Sequence, residues 1–419
     1  MIDRRFHSLP GVRPRSAGVC IGLFLIGFTA ACSGLLDVPL PGRIPAEQID
    51  NPEFAAVLAR SVIGDFECAY NNYSGGSSVH SDEWESTSGD ARIASWGERT
   101  ITADEDQYVI GSCPGEGFGM QTTLHTARYQ AEDVFRRLQA WTDQQVSNRT
   151  SLMASVRAYG GYVYALMGET FCEAAFDKGS AQAPSAALLI AEQQFGEAIT
   201  LAQQSGNTDM LNLARVGLAR ATLAQKKFTQ AAQAAGQVPA GYEKSADRGA
   251  ENVRRWNKFV RYVNDGGAYT AATSYRGLND PRVPVVDAGR GSVDSRIRLW
   301  ITTKYQTLAT PIRLASYRQA QLILAEAQAE QAQVAQAMTI INDRRTGLGL
   351  STLTANSQAE AVAHIIAERQ KELAFEGGHR LFDLLRKNIA WKVGGNPFTG
   401  RPYGATRCWP LPTREKSGV

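Results

Sequence analysis

Residues Ile365–Arg386 read IIAERQKELAFEGGHRLFDLLR. Val362, Ile365, Ile366 and Leu373 recur at helical spacing and share one apolar face. Gly377 and Gly378 end that helix, because glycine enters the left-handed conformation of a helix C-cap without a Cβ clash. Leu381, Phe382, Leu384 and Leu385 give a second, short helix its own buried side. Glu368, Glu372 and Glu376 recur every four residues, a spacing that repels. Arg369, Lys371, Arg380 and Arg386 stand where they neutralise the stripe. Physics alone predicts a solvated, salt-bridged helical hairpin with no chemistry of its own.

Outward from this hairpin the chain alternates helical and loop-rich parts. Helical periodicity covers about 120–240 and 311–390. Within 227–239, Phe228, Ala231, Ala232, Ala235 and Pro239 give a partial echo of the tetratricopeptide pattern, in which small residues let paired helices pack closely. A further helix opens at Pro52-Glu53-Phe54 and runs through Val62. Residues 68–119 and 241–305 are rich in Gly, Ser, acids and aromatics and read as loops. Long loops in a compact protein are usually functional or disordered. After Trp391 the Gly- and Pro-rich tail is non-helical.

The opening stretch resembles the C-terminal signature of the SusD/RagB family, approximately E-R-x-x-E-L-x-F-E-G-x-R-x-x-D-L-x-R. The matching positions are Glu368, Arg369, Glu372, Leu373, Phe375, Glu376, Gly377, Arg380, Asp383, Leu384 and Arg386, with one extra residue before Arg380. Other pieces resemble the family in the same order. They are Asp280-Pro281-Arg282, Lys304-Tyr305, the Leu322–Ala327 helix, Ile341-Asn342 with Arg345 and Gly347-Leu348, and Trp409-Pro410-Leu411-Pro412 with Glu415. The resemblance implies a mainly α fold, a TPR-like right-handed helical repeat scaffold with loop-rich insertions, in one domain over 51–419.

The N-terminus has a basic region and then the apolar run Val19–Ala31. Thirteen residues of helix span roughly 20 Å, short of the ~30 Å hydrocarbon core, so residues 1–31 read as a signal peptide. Thr29-Ala30-Ala31-Cys32-Ser33 resembles a bacterial lipobox, with Thr29 where Leu is usual. Cys32 is then the lipid anchor, 32–50 a Pro- and Gly-rich tether, and two acyl chains hold the protein at a membrane. The alternative is a plain signal peptide with a free or disulfide-bonded Cys32. Four cysteines remain: Cys68, Cys113, Cys172 and Cys408. They lack metal-like spacing and suit two disulfides, with three pairings open.

The formal net charge of +3 is carried by Arg4, Arg5, Arg13 and Arg15 against Asp3, leaving the rest of the chain near neutral. That excludes the footprint of a nucleic-acid binder. No catalytic or phosphate-binding motif is present. The acids Asp82, Glu83, Glu85, Asp104, Glu105 and Asp106 admit a glycosidase pair or a calcium site only weakly. Tyr70, Asn71, Asn72, Tyr73, Trp84, Trp96 and Tyr108 place aromatic faces beside polar groups, the pairing a sugar ring needs. Tyr70, Asn72, Tyr73, Trp84, Trp96 and Tyr108 are therefore the candidate ligand contacts, against the alternative that such rings plug the loops into the core.

The family resemblance implies a non-enzymatic lipoprotein, lipid-anchored on the bacterial outer membrane and needing no cofactor or metal. It would capture a glycan or other oligomeric nutrient for a SusC-like TonB-dependent transporter. The alternatives are an exported helical-repeat scaffold for protein interaction and, behind it, a glycoside hydrolase.

Overall fold

Small residues set the architecture by letting helices approach closely. The ring of Phe195 lies between Gly161 and Gly217, where an added Cβ would come within 2.9 Å and 2.2 Å of it. The computed structural model describes residues 49–115 and 117–416. From Asp50 onward the chain forms one compact unit. The signal peptide, Cys32 and the tether up to residue 48 lie outside the described residues.

The unit is mainly helical. Helix α1 (Ala55–His80) leads into strand β1 (Trp84–Ser86) and helix α2 (Ala91–Glu98). The repeat helices are α3 (Met120–Ala140), α4 (Arg149–Thr170), α5 (Pro184–Ser205), α6 (Thr208–Ala224) and α7 (Phe228–Gly236). Each packs on the next. The middle part carries strands β2 (Glu243–Ala246), β3 (Tyr269–Ala271), β4 (Val285–Gly291), β5 (Arg298–Thr302) and β6 (Ile312–Ser316). They pair antiparallel as β1 with β3, β2 with β6, and β4 with β5. Helices α8 (Tyr317–Glu330), α9 (Val334–Gly347), α10 (Gln358–Glu372) and α11 (His379–Arg386) follow, α8 packing on α7. The expected mainly α, helical-repeat class is what the chain adopts.

Residues 68–80 are not loop, as their composition suggests, but the second half of the 26-residue helix α1. Their Gly and Ser residues are the small face that admits large neighbours. A Cβ on Gly75 would meet the Phe118 ring at 2.5 Å, and one on Gly76 would meet Met120 at 2.7 Å. Tertiary packing overrides the poor helix propensity of the segment. The disulfides join Cys68 to Cys113 and Cys172 to Cys408, with Cα–Cα distances of 5.6 and 5.1 Å.

The opening hairpin is also corrected. Its acids are buried and are neutralised largely from distant parts of the chain. Glu368 meets Arg282 and Arg345, each at 2.6 Å, and Glu372 meets Arg344 at 2.8 Å. Glu376 meets Lys304 at 3.2 Å and Arg313 at 3.3 Å. Arg380 reaches Asp82 at 2.6 Å, and Arg386 reaches Glu326 on α8. Arg369 with Asp383 (3.0 Å), Arg386 with Asp383 (2.6 Å) and Lys371 with Glu368 (3.6 Å) are the pairs internal to the hairpin. Gly377 and Gly378 adopt left-handed backbones, φ 61° and 66°, but they do not cap the first helix, which ends at Glu372 with Leu373 as its C-cap; Gly378 is instead the N-cap of α11. A Cβ on Gly378 would stand 2.5 Å from the Tyr73 ring of α1.

Candidate functional site

The six aromatic and amide residues singled out from sequence lie inside the molecule. Tyr70, Asn72, Tyr73, Trp84, Trp96 and Tyr108 are each 0% exposed. Tyr70 donates to the Arg313 carbonyl at 2.5 Å, Asn72 to the Gly119 carbonyl at 3.3 Å, and Tyr108 to the Pro410 carbonyl at 2.7 Å. Trp84 packs on Phe375, and Trp96 on Phe118 and Trp409. Tyr73 lies against Gly378. Loop composition pointed outward, but these side chains are where α1 and the following turns enter the core. In this conformation none offers a ring to a ligand.

The acids near them are held too. Asp82 is paired with Arg380. Glu83 is buried and accepts the Phe375 amide at 2.7 Å, while burial pushes its carboxyl up to about 7. Asp104 accepts from Thr413 and Glu105 from Ser95. Among the described residues no group of three or more His, Cys, Asp or Glu side chains is placed to hold a metal ion.

Half-buried rings gather instead where β1, β3 and β5 meet residues 391–403. Strand β3 is tied to β5 through Thr270, whose hydroxyl accepts the Trp300 amide at 2.8 Å and donates to the Arg298 carbonyl at 3.2 Å. This presents the half-buried Trp300. Arg276 donates its Nε to the Ala271 carbonyl at 2.7 Å, which lays its guanidinium 5.4 Å from the Trp300 ring centroid and 5.6 Å from that of Phe398. Its Nη2 is buried without a partner.

A second arginine repeats the arrangement. Arg99, left-handed at φ 55° after α2, lies 5.0 Å from the Trp391 centroid and 5.3 Å from that of Tyr403. Its Nη2 donates to the Lys392 carbonyl at 2.6 Å. A non-glycine residue in that conformation costs roughly 1–3 kcal/mol and is more common at functional positions. Glu85, 5% exposed, joins the two halves. It accepts the Tyr403 hydroxyl at 2.6 Å and pairs with Lys392, and its charge acts on both Arg99 and Arg276. Burial holds both guanidinium groups below their ordinary range and lifts the Tyr403 phenol.

The tail is pinned to this place by one side-chain and one backbone donor. Asn396 donates to the Ser86 carbonyl at 3.1 Å, and the Gly404 amide donates to the Glu98 carbonyl at 2.7 Å. Aromatic faces with fixed cationic edges can stack on an apolar ring face and donate to its hydroxyls. In the sequence Trp300 falls in the segment 241–305, read only as loop, and Phe398 and Tyr403 fall in a tail read as non-helical. The aromatic residues spaced through NPFTGRPYG were the available signal.

Residues 296–405 match the SusD family, a span that includes Trp300, Trp391, Phe398 and Tyr403. The likeness is to the SusD family, in sequence and in fold alike. A SusD homolog from Bacteroides thetaiotaomicron superposes with a TM-score of 0.68 at 15% identity, covering 90% of this chain and 98% of its own. A SusD-like carbohydrate binding protein from Bacteroides vulgatus gives 0.65 at 14% identity, covering 88% and 96%. A laminarin binding SusD-like protein gives 0.59 at 17% identity, covering 88% and 97%. No curated protein matches the chain.

Proposed function

We propose that the chain is a non-enzymatic glycan-binding protein whose ligand rests on the Trp300, Phe398, Tyr403 and Trp391 face. The observation that carries this reading is the pair of arginine–aromatic sandwiches joined by Glu85. The rings supply flat apolar faces, Arg276 keeps an unpartnered Nη2 beside them, and Glu85 fixes Lys392 and Tyr403 in place. The SusD-like fold supports the same conclusion. The carboxylates of the region serve ion pairs and backbone amides, which supports binding without turnover.

In the fuller reading the mature chain is anchored by lipid at Cys32 on the outer membrane and passes its ligand to a SusC-like TonB-dependent transporter. Among the described residues no helix is long and apolar enough to cross a membrane. Calorimetric titration with neutral oligosaccharides of defined linkage, β-glucans included, tests the binding step. Binding without product supports the proposal, and hydrolysis removes it. Cys32→Ala should release the protein from membranes, and affinity capture of the intact protein should bring down a β-barrel transporter.

A further inference from the structure

A pocket lined by charged residues, Glu67 and Asp247 among them, lies on the first half of α1, away from the aromatic face. Gly64 lines it, and His80, where α1 ends before β1, is sixteen residues further on, roughly 24 Å along the helix axis. The pocket has a volume of about 400 Å³. Four arginines line it: Arg60, Arg248, Arg254 and Arg255. Arg254 is drawn to Asp65 at 2.5 Å and Arg255 to Glu251 at 3.4 Å. Arg60 is exposed and makes no ion pair among the described residues.

Arg248 is the unusual member. Its side chain is 2% exposed, and its Nε and Nη1 are buried with no hydrogen-bond partner. Only Nη2 is engaged, donating to the Glu67 carbonyl at 2.9 Å, with the Glu67 carboxylate 3.8 Å away. Glu67 is itself turned partly to the Asp247 amide, which it accepts at 2.9 Å. A buried guanidinium with two idle donors is costly unless an anion completes it. Burial and the neighbouring Arg255 and Arg254 lower Arg248 to about 10, although Glu67 and Asp247 act the other way.

We infer that this pocket is an anion subsite, taking the carboxylate or sulfate of a sugar-sized ligand against Arg248 and Arg60. Nε and Nη1 lie on different edges of the Arg248 guanidinium, so each idle N–H can take one anion oxygen, and the exposed Arg60 can meet another. The volume lies within the range of small-ligand sites. The subsite stands apart from the aromatic face and does not depend on it.

Calorimetry at low salt with sodium glucuronate, glucose 6-sulfate, glucose and sodium sulfate tests the assignment. The wild-type protein should bind glucuronate or glucose 6-sulfate and not glucose. Arg248→Gln and Arg60→Ala should each weaken that binding by about tenfold, the loss expected for one charge-assisted contact. Should Arg248→Gln fail to fold, Arg60→Ala decides alone, since Arg60 is exposed. The readout uses anionic monosaccharides and Arg60, so its failure leaves the neutral-oligosaccharide test of the aromatic face standing. Equal affinity in wild type and Arg60→Ala, or equal affinity for glucose and glucuronate, overturns the assignment. So does binding of sodium sulfate without either sugar anion, which marks an adventitious ion only.

Discussion

Arg220 of α6 grips Glu169 of α4 through two hydrogen bonds of 2.5 Å, and its Nη2 also donates to the Gly377 carbonyl at 2.8 Å. One buried guanidinium therefore ties two repeat helices to the turn between α10 and α11. Removing one partner of such a pair strands the other in the interior. Arg220→Ala should cost about 3–5 kcal/mol, read from urea unfolding at pH 7. Replacing both partners together, Arg220→Met with Glu169→Leu, should cost far less. Equal losses for the two variants would contradict the account.

The same contact shows which part of the fold was legible. Helical periods and the family pattern were readable because they are local along the chain. The partners of the acid stripe were not. Arg282 reaches Glu368 from 86 residues away, and no spacing rule within a helix reports it. The candidate site was hidden for a related reason. Tyr70 and Tyr73 sit among polar residues that suit a loop, yet they pack beneath the signature glycines. Trp300 and Phe398 meet only through Arg276, which approaches from a third segment.

Stability should carry an unusual pH signature from Glu83. Its buried carboxyl is raised to about 7 from 4.5, burial outweighing the Phe375 amide and the Ser78 hydroxyl. Between those values the folded chain keeps a proton that the unfolded chain has released. Rising pH across that window therefore costs stability, by up to about 1.4 kcal/mol per pH unit. Buried His80 and His125, lowered to about 3 and about 4, act oppositely and cost stability as pH falls below 6.5. Glu83→Gln should thus gain on wild type as pH rises from 5 to about 7 in thermal unfolding, and level off above it. Parallel profiles for the two proteins would remove this assignment.

The tail depends on the Cys172–Cys408 bond, which closes a separation of 236 residues. Next to it Trp409 packs on Trp96, Tyr108 and His80. Losing this cross-link should cost about 2–5 kcal/mol. In a Cys172→Ser, Cys408→Ser variant, tryptic cleavage at Arg407 should also accelerate, because the tail then opens locally. Unchanged cleavage kinetics would show that Trp409 packing alone holds the tail.

The central claim is that a glycan rests on half-buried rings near β5 and not on the buried aromatics of α1. Trp300→Ala should leave the circular dichroism and unfolding midpoint close to wild type, since the ring is half-buried. Its affinity for whichever neutral oligosaccharide the wild-type protein binds, measured by isothermal titration calorimetry, decides the matter. A loss of about tenfold or more, the scale of a stacked ring at a binding site, is predicted. Wild-type affinity in Trp300→Ala would contradict the account.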